Sequence, residues 1–524
     1  MASIVLCCVL CGILGFVIDY TILPRFPDAI PSVGYGRGFW GHIRSNIGYF
    51  TSQRRWIRDG YNKYNKRGLP FLAPAGMSRP HDVVLPRSML SWLIQQPEDA
   101  VDARTAHNTI IYGDYNFLDA RVVRDSFGMR AIHKSLNRNL PGLLPAIDDE
   151  VQYAVNMTLS HVSDTWTSVN LWDMWLKIVP PITNRMLVGP SACRDGQFLE
   201  AMVAFTHAVL RNCVLLRMFP LFLHPVLGRV LTISNWIYWR RAYQRVGPVI
   251  KTRLDHMQRK AEGESQLRDW LPPEDFITWL IRLALEEDRR IELDALIISK
   301  RLLPIEFAAI DTTVLTGLLW IQDLLMSPSV IDALTAELRT HQPAPGDTWS
   351  KEALLSLFHV DSSIRESQRL SNFHLTLIER VVMVPGGLRL PNVGWTLPKG
   401  AHLTVNLDGS HHDEDLYNDA CKYDAFRFSR IREGGGECDN SCRDGAKPLG
   451  MAAMNDHHFP FGHGKHTCPG RFFVAHEFRL IAAHLLLNFD LMEDEAPRRK
   501  WVGSGMIPPF GSRIKIRRKQ SLTG

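Results

Sequence analysis

The chain has 524 residues, 45% of them hydrophobic and 22% charged, ordinary values for a globular protein with a sizeable core. A net charge of +6 is small for this length and gives no indication of nucleic-acid binding. Of the nine cysteines, Cys7, Cys8 and Cys11 lie in the apolar N-terminus and Cys468 in a glycine-rich loop, while Cys193, Cys213, Cys421, Cys438 and Cys442 are scattered without a zinc-like pair of Cys-x-x-Cys knuckles, which argues for a reduced, cytosol-facing body.

From Ala2 to Ile18 no residue is charged, and past Asp19 the apolar run continues through Ile22 and Leu23 to Pro24. A bilayer core of roughly 30 Å needs a helix of about 20 residues, so residues 1–24 read as a membrane anchor. The rival reading, a cleaved signal peptide, lacks a basic leading segment and a clear small-x-small site. Arg25, Arg37, Arg44, Arg54, Arg55 and Arg58 follow closely, placing the C-terminal side in the cytoplasm behind an uncleaved, single-pass anchor. Pro24, Pro27 and Pro31, then Gly34, Gly36 and Gly38, make residues 25–45 a linker, with one catalytic domain at 46–524. Within the linker, Gly36 to Gly41 spells Gly-x-Gly-x-x-Gly. It follows prolines rather than a strand, so it is not a dinucleotide site.

From about residue 85 to 330 the chain reads as mostly helical. Residues 214–240 are strongly apolar and aromatic, as in a pair of core helices. A long apolar helix is expected from about Asp294 to Met326, kinked at Pro304. It carries Ala308-Ala309-Ile310-Asp311-Thr312-Thr313. A buried acid beside an alcohol is costly unless both bond to something. They are either a proton relay lining a cavity or threonines bonded back to helix carbonyls, with Asp311 paired to a basic neighbour. Glu366 and Arg369 lie three apart on one helix face, which by itself fits a solvated surface pair. Strands are expected around 381–384 and 402–405, and a long loop over 431–458.

The stretch Phe461-Gly462-His463-Gly464-Lys465-His466-Thr467-Cys468-Pro469-Gly470-Arg471 holds one cysteine in a glycine-rich loop. Pro469 suits the first position of a following helix, with Ala475, Phe478, Ala482 and Leu485 on one face. Cys468 would then sit at a helix N-terminus, where the dipole favours thiolate. Such a thiolate is a metal ligand or a nucleophile. The nearby His457, His458, His463 and His466 invite a zinc reading, but no zinc-ligand spacing is present.

The loop resembles the haem-binding signature of the cytochrome P450 family, matching at Phe461, Gly464, Cys468 and Gly470, with His466 where the family usually has arginine. Ala308–Thr313 resembles the family's oxygen-activation motif, with Ala309 in place of glycine. Glu366 and Arg369 match its Glu-x-x-Arg, and Arg427, in Tyr423–Phe428, its third member. The resemblance implies a mainly α fold with a small β portion, preceded by the anchor helix. It makes Cys468 the axial ligand of haem b, Asp311 and Thr312 the proton-delivery pair, and Glu366, Arg369 and Arg427 a structural core. His466 and Arg380 would meet haem propionate, with His133 or Arg138 on the opposite one.

The activity implied is monooxygenation of a lipophilic small molecule at the endoplasmic reticulum membrane, the body facing the cytosol. A terpenoid intermediate of fungal secondary metabolism is the favoured substrate. No stretch resembles a nucleotide or flavin site, so electrons from NADPH would come through NADPH–cytochrome P450 reductase, with cytochrome b5 as a further donor. Arg427, Arg430, Lys465 and Arg471 would form the docking face. Phe307, Ala308, Thr312, Phe373 to Leu377 and Ser504 to Ile507 would line the pocket. Other readings are an isomerase or dehydratase of the same fold working without a reductase, and a non-catalytic haem- or lipid-binding module.

Overall fold

A long, largely apolar helix, Ala295–Leu325, lies at the centre of the helical body. The computed structural model describes residues 14, 15, 17, 20–433 and 449–520, so most of the expected anchor lies outside the described residues. The helices that position the site are α1 (Phe39–Lys63), α2 (Ala103–Ile111), α3 (Gly113–Asn116), α4 (Phe127–Thr158), α5 (Leu171–Leu187), α6 (Gly196–Arg217), α7 (Ile233–Ala261), α8 (Ala295–Leu325), α9 (Phe358–Leu370) and α10 (Arg471–Asn488). In α8, the Asp294 carboxylate accepts from the Leu296 and Ile297 amides at 2.8 and 3.0 Å, capping the first turn. The helix is apolar nearly all round, as a helix packed on every side must be, and Ile310, Val314, Leu318, Trp320 and Ile321 are fully buried. It continues through Pro304 to Leu325. By length and composition α6 and α8 could each cross a membrane, but α8 packs against α5, α7 and α9, and α6 against α7.

The β portion sits to one side. A five-stranded sheet runs β1 (Phe71–Ala73), β2 (Asp82–Leu85), β5 (His402–Asn406), β4 (Thr376–Val382), β3 (Val101–Asp102) in spatial order. Only β2 and β5 pair in parallel, Asp82 opposite His402; the other neighbours are antiparallel. All five residues of β5 are buried, as a central strand covered on both faces requires. A hairpin of β6 (Lys500–Val502) and β7 (Gly505–Ile507) reaches back to the end of α9, where the Met506 amide donates to the Phe373 carbonyl at 3.0 Å.

The stretch expected to be a free linker is partly structured. The Leu72 amide donates to Pro31 and the Val33 amide to Leu72, at 2.8 and 2.9 Å, so residues 31–33 extend the β1 edge. Ile30 is buried with the sheet's apolar residues, and α1 begins at Phe39, inside the span assigned to the linker. The expected loop 431–458 begins with a short helix, Ser429–Arg432, and residues 434–448 lie outside the described residues.

Candidate active site

Gly462 and Gly464 have φ of 75° and 73°, a left-handed backbone that glycine adopts at no steric cost. They fold the cysteine loop so that the Cys468 amide donates to the Phe461 carbonyl at 2.9 Å. The Thr467 hydroxyl donates to the Gly464 carbonyl at 2.6 Å. Helix α10 starts at Arg471 with Gly470 as its N-cap. Pro469 therefore lies outside the helix, and Cys468 precedes the first turn rather than occupying it. A Cβ on Gly470 would approach the Cys468 Sγ to 3.9 Å. Burial raises the thiol's pKa, while the Gly470 and Arg471 amides and the Arg471 guanidinium pull it down. Burial outweighs them, so the free thiol is not the depressed one that helix placement alone implies. The Cys468 side chain opens onto a cavity of about 430 Å³.

Helix α8 forms another wall of that cavity through Ala308, Ala309, Thr312, Thr313 and Thr316. The Thr312 hydroxyl donates to the Ala308 carbonyl at 2.6 Å, and Thr316 to the Thr312 carbonyl at 2.8 Å, the back-bonding pattern of helix threonines. Asp311 points elsewhere. It is buried, not part of the cavity wall, and both its oxygens are without a hydrogen bond. Its basic neighbour is His207 of α6, whose Nε2 lies 3.3 Å from Oδ1 while the ring, half-exposed, stacks on Trp172.

A bulge in β4 builds the cationic end. Register slips between Leu377 and Arg380, and Ile378 is held at φ 65°, a conformation that a β-branched residue rarely adopts. All four residues from Leu377 to Arg380 consequently reach the cavity wall. Arg380 is buried, and its guanidinium donates to the neighbouring Glu379 carbonyl at 2.8 Å. His107 and His466 join it; His107 lies 3.6 Å from Glu379 and His466 3.4 Å from Glu98. His133 and Arg138 are not in the wall; α4 instead contributes Met129, Ile132 and Leu136. His107 was missed because a single histidine in a short polar helix carries no periodic or spacing signal.

Behind the loop, Glu366, Arg369 and Arg427 meet in the interior. Arg369 donates to both Glu366 oxygens at 2.8 and 2.7 Å, and Arg427 Nε donates to Glu366 Oε1 at 3.1 Å. The remaining Arg369 nitrogen donates to the Ala420 carbonyl at 2.7 Å and to that of His411. Arg369 also stacks on Tyr417, whose hydroxyl donates to the His457 carbonyl at 2.9 Å, tying the cluster to the approach of the cysteine loop. Arg427 is thus buried and not on a docking face, and Arg430 is bonded to Asp424. Lys465 is exposed.

Of the residues expected to line the pocket, Ala308, Thr312, Phe373, His374 and Leu377 do so. Phe307, Leu375, Thr376 and Ser504 to Ile507 are not in the wall; Phe307 packs against Phe117 and the hairpin turns toward Tyr49. Glu477 of α10 is a wall residue that sequence reasoning missed. It is fully buried, both oxygens lack a partner, and desolvation pushes its pKa up to about 8, so it is neutral at pH 7. Among the described residues no group of three or more His, Cys, Asp or Glu side chains is placed to hold a metal ion between them.

A family model described as Cytochrome P450 matches residues 117–509. The chain is 30% identical over 518 residues to cytochrome P450 monooxygenase gloP of Glarea lozoyensis, covering 96% of this chain and 93% of that one. It is 27% identical over 524 residues to cytochrome P450 monooxygenase polB of Polytolypa hystricis, covering 97% of each. Among solved structures, retinoic acid-bound cyanobacterial CYP120A1 shares the fold with a TM-score of 0.64 at 16% identity, over 94% of this chain and all of that one.

Proposed function

The chain belongs to the cytochrome P450 family and is a haem-thiolate monooxygenase, and from that premise we propose that it oxidises a lipophilic, terpenoid-type intermediate of fungal secondary metabolism. The observation that carries the reading is that Cys468, the Ala308, Ala309 and Thr312 face of α8, and Arg380 with His107 and His466 share one cavity.

These residues fit haem b. Cys468 supplies a soft sulfur donor of the kind iron takes, and Ala308 and Ala309 leave the opposing helix without bulk. Arg380, buried with no carboxylate within ion-pair reach among the described residues, suits a propionate, with His107 and His466 beside it. Haem supplies the activation of dioxygen when bound. This chain's own groups do the rest. The Gly470 and Arg471 amides are placed to donate to the Cys468 sulfur and temper its donor strength. Thr312 can exchange its bond to the Ala308 carbonyl for one to a cavity ligand, holding a proton at its Oγ1. Asp311, with His207 between it and solvent, would feed protons to that hydroxyl from the far side of α8.

The enzyme needs an electron-donating partner, and we assign NADPH–cytochrome P450 reductase to that place, with cytochrome b5 as a further donor. Lys465 and Arg471 border the ligand loop where an acidic partner would dock. Apolar wall residues such as Ile132, Met186, Ile305, Leu319 and Phe373 support a lipophilic substrate. Leu221, Val226, Val230, Ile233 and Trp236 are exposed between α6 and the start of α7, which supports contact with the endoplasmic reticulum membrane, beside the N-terminal anchor.

The test is the carbon monoxide difference spectrum of the reduced protein in microsomes, followed by turnover of terpenoids with reductase and NADPH. A strongly red-shifted Soret band lost in Cys468→Ser, with NADPH-dependent oxygenated product, is the expected result. Product formed without NADPH would establish the isomerase or dehydratase reading instead.

A further inference from the structure

Most polar groups in the cavity wall are already engaged. Thr312 and Thr316 are bonded back to α8, and the Ser367 and Ser371 hydroxyls both donate to Asp323 Oδ2 at 2.6 Å. Glu379 has His107 at 3.6 Å, and Arg380 belongs to the propionate end. His374 differs from these. It is a wall residue whose imidazole makes no hydrogen bond or ion pair among the described residues; its ring neighbour is Phe373, 4.8 Å away between centroids.

Two observations fix where that ring looks. His374 is exposed, yet its surroundings are dense enough for desolvation to lower its pKa, against an upward pull from Glu379. A side chain that is open on one face but cut off from bulk water looks into an interior space. The space it lines is the cavity. At pH 7 the ring is neutral, with one nitrogen a donor and the other an acceptor.

The backbone on both sides of the ring is clamped. The Phe373 carbonyl accepts from the Met506 amide and the Leu375 amide donates to the Ser504 carbonyl, both at 3.0 Å, while His374 itself bridges to Gly505. The Leu375 carbonyl accepts from the Leu407 and Asp408 amides, each at 3.0 Å. His374 is thus held between the β6–β7 hairpin and the end of β5. A polar group on a fixed backbone, facing a largely apolar chamber, sets the orientation of a ligand and selects among ligands. A hydrocarbon that displaced water from the chamber would leave both ring nitrogens unpaired, whereas a ligand oxygen would pair one of them.

Resting on the haem-thiolate reading, we propose that His374 is a specificity-determining residue whose ring hydrogen-bonds an uncharged oxygen already present on the substrate. The substrate class this assigns is a lipophilic alcohol or ketone rather than a hydrocarbon or a carboxylate. A reaction that installs that oxygen therefore precedes this enzyme.

The experiment uses the full-length holoprotein and two matched pairs of probes, farnesol with β-farnesene and cedrol with cedrene, titrated by the low-to-high-spin Soret shift. Wild type should bind at least one alcohol about 3- to 10-fold more tightly than its hydrocarbon, the span of one neutral hydrogen bond. His374→Leu, and His374→Phe as a second apolar variant that keeps a ring, should erase that preference while hydrocarbon affinity holds within about twofold. His374→Gln, which keeps a donor and an acceptor, should retain part of it. Haem transfer to an apo-haem acceptor should run at the wild-type rate in all three. A wild-type protein with an intact thiolate-type carbon monoxide band that prefers neither alcohol, or answers to none of the probes, overturns the proposal. So does a preference that survives in both apolar variants, or an equal loss of both members of a pair, which marks a packing role. Faster haem transfer from the apolar variants would put the ring on a propionate and overturn it too. A wild-type protein with no thiolate-type band overturns the haem-thiolate reading itself, and the role of His374 with it.

Discussion

Mild acid should loosen the cysteine loop from behind. His411 and His458 stack with centroids 5.2 Å apart and planes 13° from parallel, both fully enclosed. Their four ring nitrogens have no hydrogen-bond partner. Burial first, then Arg369, His412 and Arg365, hold the His411 pKa well below 6.5 against the opposing pull of the Arg369 backbone, and burial, then Arg365, His411 and Arg369, do the same for His458. In the folded protein the rings stay neutral, whereas in the unfolded chain they take up protons around pH 6.5. Their stability contribution is therefore complete above that pH and lost as pH falls below it toward the folded values. From pH 7.5 to 5.5 the loss is about 1.4 kcal/mol per ring, or about 2.8 kcal/mol for the pair. The assay is denaturant unfolding followed by tryptophan fluorescence at the two pH values, in wild type and His411→Leu. The pH-dependent difference should shrink by about 1.4 kcal/mol in the variant. The thiolate-type carbon monoxide band should also survive pH 5.5 longer. An unchanged pH difference would refute the claim that His411 stays neutral in the fold.

Glu366→Ala leaves two buried guanidiniums uncompensated and should cost about 3–5 kcal/mol by the same unfolding assay; a loss under about 1 kcal/mol would mean that water reaches the cluster. Arg380→Ala removes a charge-assisted bond of about 1.5–3 kcal/mol, so haem should pass to an apo-haem acceptor roughly 10- to 150-fold faster. An unchanged transfer rate would take Arg380 out of propionate binding. Thr312→Ala should leave NADPH consumption running without matching product, and fully coupled turnover would remove the hydroxyl from proton delivery.

The cysteine loop and the long α8 helix were legible because short-range chemistry defines them: glycines at left-handed positions, a capping aspartate, a long stretch dominated by apolar residues. Glu366 and Arg369 were legible as a pair, but their burial was not, since three-residue spacing is the same on a wet or a dry helix face. Arg427 was read both as a surface contact and as part of the cluster, and only tertiary packing decides between them. The cationic end was read in part. Arg380 stands in a strand, yet its direction depends on a bulge at Ile378, which nothing in the local sequence announces. His107 comes from a helix more than 250 residues away in sequence from Arg380, beyond any periodicity argument. Phe307 was placed one step wrong: on a helix, adjacent residues point about 100° apart, so the residue before Ala308 faces the roof rather than the cavity.

The pairing of β2 with β5, together with the Arg58–Asp408 and Tyr61–Asp413 bonds, also sets a timetable for synthesis. The two members of the Arg58–Asp408 pair are separated by 350 residues, which a ribosome adding about 5–20 residues per second needs roughly 20–70 s to make. Through that interval the first two strands have an open edge, and Arg58 and Tyr61 of α1 wait for Asp408 and Asp413. The nascent chain is most exposed to aggregation then. Cys468 emerges only after the sheet can close, so haem capture comes as a late step on a largely assembled scaffold.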